Sequence, residues 1–178
     1  MKYAILASFA LLPLFGMAQN SPQSPPAQPA AAKGDVDTVD HIVAAIYDSI
    51  SGPAGQERNW DRFKSLFTAD AQLAAVFPRD NGDVDEREFP MSQFIEMSGP
   101  LLKRDGFYER ESHRKSERFG HIANLFSTYE SRFHLNEKPF QRGINSIQLY
   151  NDGTRWWVRS IIWETETGKV KLPAEYGG

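Results

Sequence analysis

The chain lacks cysteine in all of its 178 residues. No disulfide bond can therefore form, and no thiol is present for the attachment of a lipid. A domain without disulfides depends for its stability on its hydrophobic core and on any subunit interface that it forms. Because 40% of the residues are hydrophobic and 12% are aromatic, the chain has enough apolar material for such a core, and we predict a globular protein.

The chain also lacks a run of basic residues, and its formal net charge is −3. Proteins that bind nucleic acids carry clustered lysines and arginines, so we expect no nucleic-acid partner. Metal-binding patterns are missing as well. The acidic segment 80–88 lacks the spacing of a calcium loop, and Asn81-Gly82 explains it as a turn. Four histidines are scattered without ligand spacing, so we predict no metal site and no cofactor: His41, His113, His121 and His134.

The N-terminus has the pattern of a signal peptide. Lys2 is followed by an apolar run from Tyr3 to Phe15 and then by Gly16-Met17-Ala18, small residues of the kind that precede a cleavage site. The run is shorter than the roughly 20 residues that span a bilayer, which argues against a membrane anchor. We predict a signal peptide over 1–18 and an exported protein, periplasmic or secreted, with no membrane association after cleavage.

Composition divides the remaining chain into three parts. Residues 20–34 contain four prolines and almost no large apolar side chain, which is typical of a flexible spacer. We assign a spacer to 19–34, a folded domain to 35–168 and a C-terminal tail to 169–178.

Periodicity within the folded domain predicts an ordered series of helices and strands. Apolar residues recur at helical spacing from Val39 to Ile50, with Asp35 or Asp37 as the N-cap. A short helix around Trp60, a hairpin at Asn81-Gly82 and a helix over 91–102, which Gly99-Pro100 should kink or end early, come next. Four long strands follow from Phe107 onward, the last two joined at Asp152-Gly153. This order predicts an α+β fold.

The pattern resembles the nuclear transport factor 2-like (NTF2-like) superfamily, which includes SnoaL-like cyclases and ketosteroid isomerases. Segments that carry the resemblance are IVAAI at 42–46, FTADAQL at 67–73, ANLFSTYESR at 123–132 and the strands over 143–164. The resemblance implies a cone-shaped, strongly curved, mostly antiparallel sheet with three N-terminal helices packed on its concave face. It implies little about function, because the superfamily uses one pocket for unrelated chemistries.

The isomerase branch of the superfamily can be tested at two positions. The residue that matches its general-base aspartate is Ala75, and the residue that matches its oxyanion-binding tyrosine is Ile42, with Tyr47 nearby. A methyl group cannot abstract a proton. Isomerase activity of that type is not expected, and no catalytic residue is assigned.

The register of the last hairpin predicts which side chains face the cavity. A two-residue Asp152-Gly153 loop would place Asn145 opposite Ser160 and Gln141 opposite Glu164 on one face. If that face is concave, Asn145, Ser160 and Glu164 meet in the pocket; the alternative is that this end of the sheet meets solvent. His121 and Tyr129 share parity on one strand and are also pocket candidates, as an acid/base pair.

The other face of the hairpin mixes aromatic and arginine side chains, as protein interfaces do. We expect a homodimer through this outer face, with the alternative that arginine stems cover the tryptophans within one subunit. The candidate interface residues are Arg142, Tyr150, Trp157, Arg159 and Trp163.

Two functions remain open. The first is a non-catalytic exported protein that holds a small apolar molecule or forms a dimeric scaffold. The second is a SnoaL-like enzyme, a cyclase, dehydratase or hydrolase, that acts on an apolar ring compound. A cone mouth plugged by Trp60, Phe63 and Phe94 would exclude the second.

Overall fold

A computed structural model describes residues 28–79 and 81–178. Four α-helices precede or interrupt the sheet: α1 Lys33–Val36, α2 Val39–Ile50, α3 Trp60–Ser65 and α4 Met91–Asp105. The strands are β1 Phe67–Pro78, β2 Val84–Phe89, β3 Tyr108–Phe119, β4 Ile122–Arg132, β5 Gln141–Asn151 and β6 Trp156–Thr165. A short 3₁₀ helix, Ala174–Tyr176, lies in the tail. The predicted signal peptide and most of the predicted spacer lie outside the described residues.

The six strands form one curved, unclosed sheet in the order β2-β1-β6-β5-β4-β3. Every neighbouring pair is antiparallel except β1 and β6, which are parallel. The predicted α+β fold with a curved, mostly antiparallel sheet is confirmed. None of the helices in the described part of the chain is long and apolar enough to span a membrane.

Helix α2 lies on the concave face of the sheet and supplies much of the core. Its apolar residues Ile42, Val43, Ile46 and Ile50 are all buried, because they recur on one side of the helix. The predicted N-caps were wrong. Thr38 caps the helix by accepting a 3.0 Å hydrogen bond from the backbone N–H of His41.

Helix α4 packs against β1 and β2 and continues through Gly99-Pro100 to Asp105, so the expected early end was wrong. Tertiary contacts hold its last turn in place despite the proline. The guanidinium of Arg58 donates to the carbonyl of Leu102, and the N–H of Gly55 donates to the carbonyl of Lys103. Both hydrogen bonds are 2.7 Å long. These bonds satisfy carbonyls that a helix end leaves without partners.

The domain is longer than predicted at both ends. Helix α1 begins at Lys33, inside the expected spacer, and Ala31 packs against the core. The tail crosses the convex face of the sheet. There the ring of Tyr176 lies 5.7 Å from that of Phe126, and its carbonyl accepts a 2.8 Å hydrogen bond from Thr128.

The predicted register of the β5–β6 hairpin was wrong, for two reasons. Asp152 accepts hydrogen bonds from the N–H groups of Thr154 and Arg155, which lengthens the loop, and the ladder starts with Asn151 opposite Trp156. A β-bulge then places Leu149 opposite Val158 but Gln148 opposite Ser160.

The bulge leaves Arg159 as an extra residue, so the second half of β6 changes faces. Trp163 lies opposite Asn145 on the concave side. Ser160 and Glu164, which the predicted register placed on the concave face, lie on the convex one.

Candidate functional site

A cavity of about 200 Å³ lies between the concave face of the sheet and helices α2, α3 and α4. Most of its wall is apolar. The apolar lining residues are Ile46, Ile50, Phe63, Leu73, Phe94, Leu102, Phe107, Ile161 and Trp163. The polar lining residues are Ser98, Glu109, Tyr129, Gln141 and Asn145. An apolar cavity with a few converging polar groups is the usual form of a small-molecule site.

Aromatic rings build the wall beneath α4. Phe63 and Phe94 are stacked with centroids 5.6 Å apart, and Phe94 meets the edge of Trp163 at 6.1 Å. Trp60 contacts Phe63 edge-on at 5.8 Å and lies against Gly99 of α4. These rings line the cavity or lie beside it and leave its volume open.

Glu109 is the one acidic residue that lines the cavity. Its carboxylate accepts a 2.7 Å hydrogen bond from the hydroxyl of Ser131, and none of the ion pairs within the described residues includes it. Burial without a cation disfavours the charged form and raises the pKa of Glu109 to about 7, although the Ser131 bond opposes the shift. At neutral pH this carboxyl can therefore both donate and accept a proton.

Tyr129 belongs to a second polar cluster. Its hydroxyl is 3.0 Å from the hydroxyl oxygen of Thr165, which accepts a 2.6 Å hydrogen bond from the side chain of Gln141. Burial raises the pKa of Tyr129 to about 12, so the phenol stays neutral. Its ring lies directly against Gly143, where any larger residue would collide with it.

Asn145 projects from β5 and is 9% exposed. Its Nδ2 donates a 3.0 Å hydrogen bond to the hydroxyl of Tyr47 on α2, which is 2.7 Å from the hydroxyl of Ser127. Burial raises the pKa of Tyr47 well above its usual value, with Glu109 adding to the shift. The phenol is therefore neutral and acts only through hydrogen bonds.

A larger groove of about 870 Å³ lies outside the cavity, between α2 and the edge strand β3. Most of the residues that line it are polar or charged, and they include Glu109, Glu111, Arg114 and Tyr47. Because Glu109 lines the groove as well as the cavity, its carboxyl lies between a solvent-facing surface and an apolar interior.

The structure brings together two of the five predicted pocket residues. Tyr129 and Asn145 line the cavity. His121 lies in the exposed turn before β4, so the predicted pairing with Tyr129 was wrong. Ser160 lies opposite the exposed Gln148, and Glu164 lines a separate hollow under the tail, because of the bulge in β6.

Sequence reasoning missed Glu109, Gln141 and the pairing of Tyr47 with Asn145. Alternating charges such as those from Glu109 to Arg118 are typical of a solvated strand edge, and most of these residues are indeed exposed. One signal was available. Phe107 and Glu109 share strand parity, so an inward Phe107 implies an inward Glu109.

The predicted interface residues mostly make contacts within the chain. Trp157 donates from its indole to Asp152 at 2.7 Å and lies 3.6 Å beneath the guanidinium of Arg155. Arg159 pairs with Asp70, and Arg142 donates to the carbonyl of Gly177 in the tail at 2.6 Å. Tyr150 lies opposite Trp157 on the convex face.

Trp163 was predicted on the outer face and in fact lines the cavity. The two residues compared with ketosteroid isomerases have hydrocarbon side chains and lie in the core. Ala75 is 1% exposed and Ile42 is fully buried. The described residues contain no cluster of three side chains suited to hold a metal ion.

No protein-family model and no curated protein sequence matches the chain. Solved structures do match it. A Nostoc punctiforme protein of unknown function with a cystatin-like fold is 12% identical, with a TM-score of 0.55 over 76% of this chain and 92% of that one. A Mycobacterium tuberculosis protein of unknown function is 12% identical, with a TM-score of 0.53 over 79% and 74% of the two chains.

A third structure, an NTF2-like protein of unknown function from Shewanella baltica, is 11% identical, with a TM-score of 0.48 over 72% of this chain and 91% of that one. At such low identity the likeness shows the fold alone. The curved sheet around a helix-covered cavity defines a cone-shaped α+β domain. This is the cone-shaped α+β architecture that the predicted resemblance implies.

Proposed function

We propose that the protein is an exported, non-catalytic binder of a small apolar ring compound, held in the cavity beneath α4. The observation that supports this is the cavity itself, which has aromatic and aliphatic walls and polar groups at one side. An apolar cavity of about 150 Å³ accepts benzene. A volume of about 200 Å³ therefore fits one ring with a small substituent and is too small for a four-ring steroid.

Calorimetric titration with toluene and p-cresol tests the proposal. Because ligands that bind only the native state raise its melting temperature, a thermal-shift measurement gives an independent check. We expect saturable binding of at least one of the two compounds. The absence of binding at ligand concentrations near their solubility limit would contradict the proposal.

A second candidate function is acid–base catalysis on the same class of compound. One observation favours it: Glu109, with a pKa of about 7, lies at the wall of an apolar cavity, as general acids and bases do. Glu109 would then take the acid–base role expected of His121, which lies in the exposed turn before β4.

Proton exchange separates the two candidates. Cyclohexanone in D₂O exchanges its α-hydrogens slowly, and a positioned carboxylate would accelerate that exchange by typically 10²-fold or more. If the protein accelerates exchange and the Glu109→Gln variant does not, the enzyme is favoured. Binding without acceleration favours the non-catalytic function.

Self-association through the convex face is a proposal of its own. Phe126 and Ile162 are each 45% exposed there, beside the tail, and Ile122 and Tyr150 add further apolar surface. Adjacent exposed apolar side chains on one sheet face support an interface with a second copy. Sedimentation of the mature chain at micromolar concentration tests this, and a monomeric mass would contradict it.

A further inference from the structure

A row of hydrogen-bonded side chains connects the outer groove with the inner cavity. Ser127 donates to Glu111 at 2.5 Å, the hydroxyls of Ser127 and Tyr47 are 2.7 Å apart, and Asn145 donates to Tyr47 at 3.0 Å. Glu111 lines the groove and Asn145 lines the cavity. Ser127 and Tyr47, in the middle, are almost completely buried. These four residues are called the relay below.

The ion pair at the outer end fixes the direction of every hydrogen bond in the relay. Both oxygens of Glu111 accept from Arg114, from Nε at 2.8 Å and from Nη2 at 2.6 Å. A carboxylate held by a guanidinium offers only acceptors. Ser127 must therefore use its single proton toward Glu111.

The directions of the two inner hydrogen bonds are fixed in the same way. With the proton of Ser127 committed, the hydroxyl of Tyr47 must donate to Ser127, and its oxygen accepts from Nδ2 of Asn145. The amide of Asn145 is thereby fixed in one of its two orientations. Its Oδ1 makes no hydrogen bond with the described residues and is not enclosed by them, so it is left as an acceptor for a molecule in the cavity.

Because the cavity wall around Oδ1 of Asn145 is mostly apolar, a hydrogen bond to this acceptor has a large effect on the affinity for a ligand. A ligand that covers Oδ1 of Asn145 without supplying a donor would leave this acceptor buried and unpaired, which is unfavourable by about 1–3 kcal/mol. A ligand that supplies a donor avoids that penalty. A hydrocarbon or an ether cannot supply one, whereas a hydroxyl can.

We infer that the cavity selects ring compounds that carry a hydroxyl group, which donates to Oδ1 of Asn145. Glu111, Ser127 and Tyr47 act as positioning residues that fix the orientation of the Asn145 amide. The inference depends on the proposed function, because it names the class of compound that the same cavity binds.

Three probes of similar size test the inference by calorimetry: p-cresol, its methyl ether 4-methylanisole, and toluene. In the unmodified protein we expect p-cresol to bind about tenfold more tightly than the ether, the usual contribution of one hydrogen bond. The Ser127→Ala variant frees the proton of Tyr47. Asn145 can then turn, accept that proton with Oδ1 and present its NH₂ group to the cavity.

In Ser127→Ala the preference for p-cresol over the ether should therefore disappear or reverse, while the affinity for toluene stays unchanged. A general loss of structure would weaken all three probes together. Ser49→Ala is the matched control, because Ser49 is buried on α2 and, among the described residues, its hydroxyl bonds to the carbonyl of Ile46 and to no member of the relay. Its preference for p-cresol should equal that of the unmodified protein.

The outcomes are distinguishable. If toluene and p-cresol bind but Ser127→Ala keeps the original preference, the relay does not set selectivity and the inference is wrong, while the proposed function stands. If no probe binds the unmodified protein, both are wrong. Should Ser127→Ala fail to fold, Tyr47→Phe gives the same comparison, because it removes the hydroxyl that holds Nδ2 of Asn145.

Discussion

Ser131 on β4 donates a 2.7 Å hydrogen bond to Glu109 on β3, and this is the only hydrogen bond that the Glu109 side chain makes within the described residues. The carboxyl therefore has one neutral partner, and it lies half-buried beside an apolar cavity. Such a group is more easily protonated in the folded protein than in the unfolded chain.

This arrangement predicts how stability depends on pH. The pKa of Glu109 rises from its ordinary 4.5 to about 7 on folding, so between these values the folded state binds more protons than the unfolded state. The free energy of unfolding should therefore fall as pH rises from about 5 to 8, by up to about 3 kcal/mol from this group. Urea unfolding at pH 5 and pH 8 measures the change.

Two variants check the assignment to Glu109. Glu109→Gln should remove most of the decrease. Glu130→Gln is the control, because hydrogen bonds from Arg132 and Arg110 lower the pKa of Glu130, the direction opposite to that of Glu109. An equal decrease in the unmodified protein and in Glu109→Gln would contradict the assignment.

Arg58 should be essential for stability because of its hydrogen bonds to the backbone. It is 5% exposed and donates to five backbone carbonyls, those of Ile50, Gly52, Pro53, Gln56 and Leu102. Lysine cannot reproduce this planar fork, so Arg58→Lys should lower the free energy of unfolding by about 2–4 kcal/mol. Urea unfolding measures the loss, and exposed Arg104→Lys should change stability by less than about 0.5 kcal/mol. Similar values for the two variants would refute the role of Arg58.

Gly143 is predicted to tolerate no side chain. A Cβ atom there would collide with the hydroxyl of Tyr129 and with the backbone oxygen of Glu164. Gly143→Ala should cost about 2 kcal/mol of stability and displace the Tyr129 ring, by the usual effect of overpacking. Gly168→Ala, where the added methyl meets open space, is the control. Thermal unfolding compares them, and equal melting temperatures would be inconsistent with the close contact.

The tail is predicted to compete with self-association. It bonds to Thr128 and Arg142 and places the ring of Tyr176 against that of Phe126, all on the face proposed for a second copy. Deletion of residues 167–178 uncovers apolar surface, so sedimentation equilibrium should show dimerisation at least tenfold tighter than in the full chain. Adding Phe126→Ser to the deletion should reverse the gain. An unchanged or weaker dimer after the deletion would contradict the prediction.

The sequence was sufficient to predict the fold class, because each element has its own periodicity and the turns at Asn81-Gly82 and Asp152-Gly153 are explicit. The hairpin register was not predictable in the same way. It depends on side-chain bonds from Asp152 and on a bulge at Arg159. The one extra residue at the bulge places Trp163 on the concave face and Glu164 on the convex face, the reverse of the prediction.

The candidate site was predicted only in part. Asn145 and Tyr129 were found from strand parity, and both line the cavity. Glu109 was missed because an acidic residue among alternating charges is normally solvated. Its position at the cavity wall depends on the curvature of the sheet and on the packing of α2 and α4, and the strand parity that it shares with Phe107 was the one local sign of it.

The most direct test is a calorimetric titration of p-cresol into a variant whose cavity is filled. Ser98 on α4 lines the cavity, so Ser98→Phe should occupy much of the space, whereas Ser92→Phe adds the same ring at an exposed position of the same helix. We predict that p-cresol binds the unmodified protein and Ser92→Phe alike and that Ser98→Phe reduces its affinity at least tenfold. Equal binding by a folded Ser98→Phe variant would show that the cavity is not the ligand site.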